Sequence, residues 1–282
     1  SRDAGINSNP TLRDLDADGD LDLMSGELTG VGVYYRNNGT ATTPTFPSSP
    51  ITGGPNPLNG KDVGDNSYLA WGDLDADGDL DVLIGNQQGQ FKYYVRGATN
   101  PPFTEMAGGS NPMNGTDVGF WAAPTFGDLD NDGDLDLVIG TVQVDGGANQ
   151  TGAFFYYENT GTNNSPVFTQ RTGVNNPFDA ITAYNAPTPT LIDLDGDVDL
   201  DMVMGESLGT LQYFKNTGTV SSPVFTQQTG SANPWNGVDL GSTTAPTFGD
   251  LDNDGDPDLV VGLSTGRFAY FQAALAPSGA DL

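Results

Sequence analysis

The chain is 282 residues long and carries 37 acidic against 9 basic side chains, with no histidine and no cysteine, for a net charge of −28. That composition excludes an imidazole general base, Ser-His-Asp and Cys-His nucleophiles, zinc fingers, disulfides and haem or iron–sulfur ligation. So negative a chain repels nucleic-acid backbones and anionic membrane surfaces, while 36% hydrophobic and 10% aromatic residues suffice for a packed core.

One nine-residue pattern recurs five times. It reads DLDADGDLD at 14–22 and 73–81, DLDNDGDLD at 128–136, DLDGDVDLD at 193–201 and DLDNDGDPD at 250–258, with starts 59, 55, 65 and 57 residues apart. These loops hold 25 of the 37 acidic residues, which leaves the remainder of the chain at −3. The acidity is placed, not spread.

Each unit reads as four short strands in chain order. A segment before the loop comes first (clearest at 124–126 and 246–248), and an apolar run follows the loop (137–139, 259–261). That run ends on a glycine twelve residues after the first Asp: Gly26, Gly85, Gly140, Gly205 and Gly262. An aromatic pair is third (34–35, 93–94, 156–157, 213–214, 270–271), followed by a turn such as NNGT or NTGT. A Pro-x-Phe segment ending at Phe46, Phe168 or Phe225, with Phe103 after two prolines in the second unit, is fourth. Connectors NPLNGKDVG, NPMNGTDVG, NPFDAITAY and NPWNGVDLG lead onward, the third being the most divergent. β-branched and aromatic residues between Gly, Pro and Asn turns are strand signals, and no window sustains a 3.6-residue period, so almost no helix is expected. Four strands repeated at this spacing predict an all-β propeller of five four-stranded blades in one domain over 1–282, with repeats near 3–61, 62–116, 117–181, 182–238 and 239–282.

Within the loop, carboxylates alternate with other residues around a glycine at position six. Hard cations take six to eight oxygens, and short carboxylates on a tightly turned backbone supply them, which points to calcium more than magnesium. The expected ligand sets are Asp14, Asp16, Asp18, Asp20 (through its carbonyl) and Asp22; Asp73, Asp75, Asp77, Asp79 and Asp81; and Asp128, Asp130, Asp132, Asp134 and Asp136. The fourth and fifth sets are Asp193, Asp195, Asp197, Asp199 and Asp201, and Asp250, Asp252, Asp254, Asp256 and Asp258. Clustered carboxylates repel one another unless a cation sits among them, so five recurrences argue against simple turn caps. Up to five calcium ions are expected. Loop four moves its glycine to Gly196 and places Val198 at position six, where a β-branched residue resists positive φ, so this site is expected to be distorted, weaker or empty.

Phe126-Gly127 and Phe248-Gly249, Trp71-Gly72 in the second unit, the Asp-rich loop and the apolar strand ending in glycine resemble the FG-GAP or VCBS-like repeats. Integrin α-subunit heads, fungal propeller lectins and many bacterial surface proteins share that design. The resemblance covers essentially the whole chain and implies a calcium-loaded propeller of extracellular type. Five repeats depart from the seven blades common in such propellers, and these loops are unusually rich in Asp. So broad a family says little about the ligand.

The chain begins within a connector, with no leader visible. The fifth unit ends in QAALAPSGADL without a Pro-x-Phe segment. Its fourth strand could come from the tail at 273–282, from chain further on, or from a neighbouring subunit, which would join protomers head to tail into filaments dependent on residues 1–9 and 273–282.

Three functional readings follow. The favoured one is a non-catalytic structural or adhesive module, secreted or on a cell surface, whose partners are other protein subunits or surface glycans, not nucleic acid or membrane. The second is a lectin: Trp71 and Trp235 read as core, and Trp121 is the candidate ligand contact. The remote third is a glycosidase using two of Glu27, Glu105, Glu158 and Glu206, although no constellation breaks the repeat as catalytic groups should. Asp3, Asp62, Asp117 and Asp239 share one repeat position and read as turn residues. Sequons at Asn38, Asn114, Asn149 and Asn163 match the number expected by chance, and the insertion at 142–152 is a candidate contact loop.

Overall fold

The computed structural model describes residues 2–97, 102–144, 150–272 and 280–281. Blade one is built from β1 (Asn9–Arg13), β2 (Asp22–Gly26) and β3 (Val33–Tyr35), and blade two from β4 (Tyr68–Gly72), β5 (Asp81–Gly85), β6 (Phe91–Arg96) and β7 (Phe103–Met106). Blade three comprises β8 (Phe120–Gly127), β9 (Asp136–Val144), β10 (Gln150–Asn159) and β11 (Phe168–Arg171). Blade four comprises β12 (Thr188–Ile192), β13 (Asp201–Gly205), β14 (Leu211–Asn216) and β15 (Phe225–Gln228). Blade five has β16 (Thr244–Gly249), β17 (Asp258–Leu263), β18 (Phe268–Phe271) and β19 (Ala280–Asp281). Every pairing is antiparallel, and the only helical turns among the described residues are the 3-10 segments Gly108–Ser110, Gly173–Asn175 and Gly230–Ala232.

The second strand of each blade is a short apolar run buried on both faces, because each of its faces meets another blade. The core is accordingly divided into five clusters, one per blade interface. Leu58, Trp71 and Tyr94 anchor the cluster between blades one and two, Phe178 and Met202 that between three and four, and Trp235 and Phe248 that between four and five. The ring closes where Leu12, Leu23 and Tyr35 of blade one pack on Leu251, Val260 and Phe268 of blade five. Backbone bonds from Ala4 N to Gly266 O (2.8 Å) and Asn7 N to Ser264 O (3.2 Å) fasten the first connector across that seam. Trp71 and Trp235 are core, as expected.

The glycine that ends each apolar strand has a steric cause. A Cβ on Gly26, Gly85, Gly140, Gly205 or Gly262 would overlap the carbonyl oxygen of Ser67, Ala122, Pro187, Thr244 or Ser8, each on the connector entering the next blade. The aspartates of the connector turns also have the expected role: Asp3, Asp62, Asp117 and Asp239 each accept a hydrogen bond from the backbone N of the glycine two residues on, at 2.8–3.0 Å.

One fourth strand falls differently from expectation, and a second settles between the alternatives. Blade one has three strands, and the chain beyond its Pro-x-Phe segment touches β3 through the bridge Tyr34–Ile51. In this unit alone a proline, Pro47, follows the phenylalanine, with Pro44 and Pro50 nearby, so the segment lacks N–H groups that a ladder needs. Phe46 is still buried in the closure interface, and the Arg2 guanidinium donates to the carbonyls of Phe46 and Pro47. In blade five the chain's own Ala280–Asp281 pairs with β18, so the tail takes the place considered for a donated strand; residues 273–279 and 282 lie outside the described residues. The insertion of unit three lengthens β9 and β10, and its tip at 145–149, including the sequon at Asn149, lies outside them too. Asn38, Asn114 and Asn163 are exposed.

Because the carbonyls facing the repeat glycines belong to backbone, little relief is available. Gly140→Ala is expected to lower stability by about 2–3 kcal/mol, read as a reduced midpoint in chemical denaturation; a midpoint equal to that of the parent chain contradicts this packing.

Candidate metal centre

Each loop leaves the inner strand of its blade and returns as the buried second strand, so all five stand in equivalent places on the ring. Carboxylate oxygens of Asp73, Asp75 and Asp77 lie within 4.8 Å of one another, as do those of Asp128, Asp130 and Asp132, of Asp193, Asp195 and Asp197, and of Asp250, Asp252 and Asp254. In loop one the set is Asp14, Asp16 and Asp22. The position-one carboxylate also folds the loop, accepting the backbone N of position six at 3.0 Å in all five copies. Position five accepts the backbone N of position seven at 2.9–3.3 Å. The position-seven side chains of Asp20, Asp79, Asp134, Asp199 and Asp256 fall outside the clusters.

Position nine has a second role that spacing alone did not reveal. The buried Asp22 carboxylate accepts Tyr34 Oη at 2.7 Å, the backbone N of Leu15 at 3.2 Å and that of Asn37 at 2.8 Å. Asp81 binds Tyr93, Leu74 and Arg96 in the same manner, and Asp136 binds Tyr156, Leu129 and Asn159. Asp201 accepts from Tyr213 and Asn216, both at 2.7 Å, and Asp258 accepts the N of Leu251 at 3.0 Å. One carboxylate thus ties the loop's second residue to the third strand. A signal was present: the first aromatic of each pair is always tyrosine, whereas the second is tyrosine or phenylalanine.

Loop four keeps the positive φ of positions four and six but departs from the other loops at both. Gly196 and Val198 have φ of +80° and +82°, where the other loops have +56° to +63° at position four and +92° to +96° at position six. The exposed β-branched Val198 is held at positive φ, and Asp193 Oδ1 accepts the backbone N of Gly196 at 2.8 Å where loops one, two and five use the N of position five. The charge around the clusters does vary. The residue after the aromatic pair is Arg36 in blade one, reaching Asp16 at 2.6 Å and Asp18 at 2.8 Å, and Lys215 in blade four, paired with Asp195 and, at 3.2 Å, Asp197. In the other blades that position holds Val95, Glu158, which pairs with Arg171 at 2.6 Å, and Gln272, which donates to Asp252 at 2.7 Å. The hydrogen bond to Asp18 raises the Arg36 pKa, and those to Asp195 and Asp197 raise that of Lys215.

The donor set fits a hard divalent cation. All donors are oxygens, and four loop carboxylate oxygens, Oδ1 of Asp20, Asp128, Asp199 and Asp252, are buried with no hydrogen-bond partner among the described residues. The remaining candidates lie elsewhere. Trp121, half-buried at φ +57°, sits at the opposite end of β8 from its loop, beside Asn7, Tyr68, Asn185, Ser207 and Thr243 around a cavity of about 90 Å³. Glu27 and Glu206 are buried and bonded within their own blades, to Thr29 and to Thr210 and Gln212, while Glu158 and Glu105 face Arg171 and Lys92.

Burial, opposed by the tyrosine and backbone hydrogen bonds, pushes the carboxyls of Asp22, Asp81 and Asp136 up to about 6, against about 3.9 in an unfolded chain. The native state therefore keeps protons that the unfolded chain has lost, and stability falls as pH rises between about 4 and 6. Metal-stripped protein is expected to melt at a higher temperature at pH 5 than at pH 7.5, with Asp81→Asn flattening the difference; a higher melting temperature at pH 7.5 contradicts it.

FG-GAP-like repeats match the chain at residues 14–84, 73–139 and 193–261. No curated protein matches it. Among solved structures it is similar to a thermostable family-43 glycoside hydrolase (10% identity over 96% of this chain and 86% of that one, TM-score 0.51). It is also similar to a family-43 arabinoxylan arabinofuranohydrolase from Bacillus subtilis solved with cellotetraose (13% identity, 97% of this chain, TM-score 0.51). A third is a lectin from Agrocybe aegerita that recognises non-reducing terminal N-acetylglucosamine (15% identity, 98% of this chain, TM-score 0.42). The chain spans 65% of the length of the lectin and of the arabinofuranohydrolase. At such identities the likeness concerns the fold alone. With more than half of its length matched by the repeat, this chain belongs to the FG-GAP-like repeat family.

Proposed function

We propose that the chain is a non-catalytic, extracellular structural or adhesive module whose five loops hold calcium to stabilise the propeller. The observation that carries this reading is the recurrence in every blade of a tight cluster of aspartate oxygens, with an oxygen of Asp128 and one of Asp252 buried and unpartnered among the described residues. Calcium bound there supplies positive charge and oxygen coordination that offset the mutual repulsion of the carboxylates. Position-one and position-five carboxylates hold the loop backbone, and the position-nine aspartate joins it to the sheet, so cation binding and blade folding share residues. Glu27 and Glu206, engaged within their blades, support a non-catalytic reading. A cleft of about 600 Å³ between blades three and four, where exposed Val174 and Val224 flank Glu158, Arg171 and Asn175, offers a partner the mixture of apolar and polar contacts common at interfaces.

Loops one and four carry their own counter-cation, so Arg36 and Lys215 compete with calcium and loops two, three and five bind it more tightly. At a hundredfold excess over Kd, one site adds about 2.7 kcal/mol to the native state. The melting temperature is therefore expected to rise by at least about 5 °C between chelator and millimolar calcium. Lys215→Gln should lower the metal-free melting temperature and enlarge the calcium-induced rise. A melting temperature indifferent to chelator contradicts the reading.

A carbohydrate-binding role is the second reading, favoured by the ring of amide and hydroxyl groups around Trp121 at the axial mouth. Binding on a glycan array, abolished by Trp121→Ala in a chain that keeps its melting temperature, is the result this reading expects. No binding across a broad array leaves the protein-partner reading.

A further inference from the structure

The five inner strands β1, β4, β8, β12 and β16 surround an axial cavity of about 190 Å³, and the repeat is broken there at one position. The residue immediately before the first loop aspartate is glycine in blades two, three and five (Gly72, Gly127, Gly249) and Ile192 in blade four. In blade one it is Arg13, which lines the cavity. Arg13 is half-buried there. Of the nine basic residues, Arg36, Lys92, Arg171 and Lys215 pair with carboxylates. Arg13 forms no ion pair among the described residues, and its one hydrogen bond is from Nη1 to the carbonyl of its neighbour Leu12 at 2.7 Å. Two further groups of the cavity, the hydroxyls of Thr125 and Thr247, have no protein hydrogen-bond partner among the described residues.

A guanidinium has five N–H donors in a planar fork, and most of Arg13's remain available. A guanidinium that lines a cavity enclosed by five blades, with no acid paired to it among the described residues, presents those donors to whatever anion enters. We propose that the axial cavity is an anion site in which Arg13 of blade one binds a small carboxylate through its fork while Thr125 of blade three and Thr247 of blade five donate across the axis. A carboxylate suits this place better than a phosphate, because the fork matches its two oxygens and one unit of charge balances one guanidinium. The five acidic loops lie outside this pocket and supply nothing to it, so the inference does not depend on whether they hold calcium.

The test uses the full chain in calcium at constant ionic strength, titrated with acetate, with glucuronate and with uncharged glucose, and read by melting temperature and by calorimetry. Acetate is expected to bind and raise the melting temperature. Glucuronate acting as well, with glucose silent, identifies the acid group of a sugar as a second source of the same carboxylate chemistry. Arg13→Gly, which installs the residue found in three other blades, and Arg13→Gln should each weaken acetate binding at least tenfold. Without anion both should melt at or above the temperature of the parent chain, because a charge without an acid partner has been removed from the cavity; a merely structural arginine would lower it. Equal acetate responses in parent and variants, or no response of the parent to either acid, overturns the proposal. Should both variants fail to fold, the parent decides alone: a crystal soaked in bromoacetate must show an anomalous bromine peak in the axial cavity, and its absence there overturns the proposal.

Discussion

The structure depends on one carboxylate per blade, the aspartate at position nine of the loop. Its two oxygens accept the tyrosine hydroxyl of the third strand and backbone N–H groups on either side, among them that of the loop's own second residue. A charged group in so dry a place is unfavourable by itself, and the elevated pKa values of Asp22, Asp81 and Asp136 report that cost. Three hydrogen bonds offset it. The residue closes the acidic loop onto the sheet in every blade, and in blade one it also belongs to the acidic cluster, so the fold of each blade is linked to the chemistry of its loop.

From that point the ring assembles by repetition. Each second strand is buried on both faces, so no blade is complete until its neighbour covers it, and the glycine at the strand's end lets the next connector approach to backbone contact. Closure is the one interface formed between residues far apart in sequence, and it reuses the same parts: Ser8 O faces Gly262 as Ser67 O faces Gly26. Blade one reaches closure with three strands, because prolines around Phe46 prevent a ladder while the phenylalanine ring still fills the interface.

Much of this was legible in the residues alone. The loop spacing, the repeat glycine, the strand pattern and the core positions of Trp71 and Trp235 all announce a propeller, because each is a local feature repeated five times. What escaped were features that depend on partners distant in sequence. The tyrosine hydroxyl was visible as a preference for tyrosine over phenylalanine, but its acceptor lay twelve residues or more away. Arg36 and Lys215 were visible as bases after the aromatic pair, while their reach into the loop needed three dimensions. The departure of loop four was legible as well: Val198 stands at positive φ in solvent, and Gly196 and the hydrogen bond to Asp193 shift with it. Arg13 shows the value of reading departures from a repeat as carefully as the repeat itself.

The central claim is that the acidity of this chain is a set of cation ligands. The most direct measurement is the number of calcium ions retained per chain, by native mass spectrometry after stepwise removal of free calcium. The account predicts three ions held tightly, at loops two, three and five, and two more at millimolar calcium, at loops one and four. A chain that retains no calcium while remaining folded would contradict it.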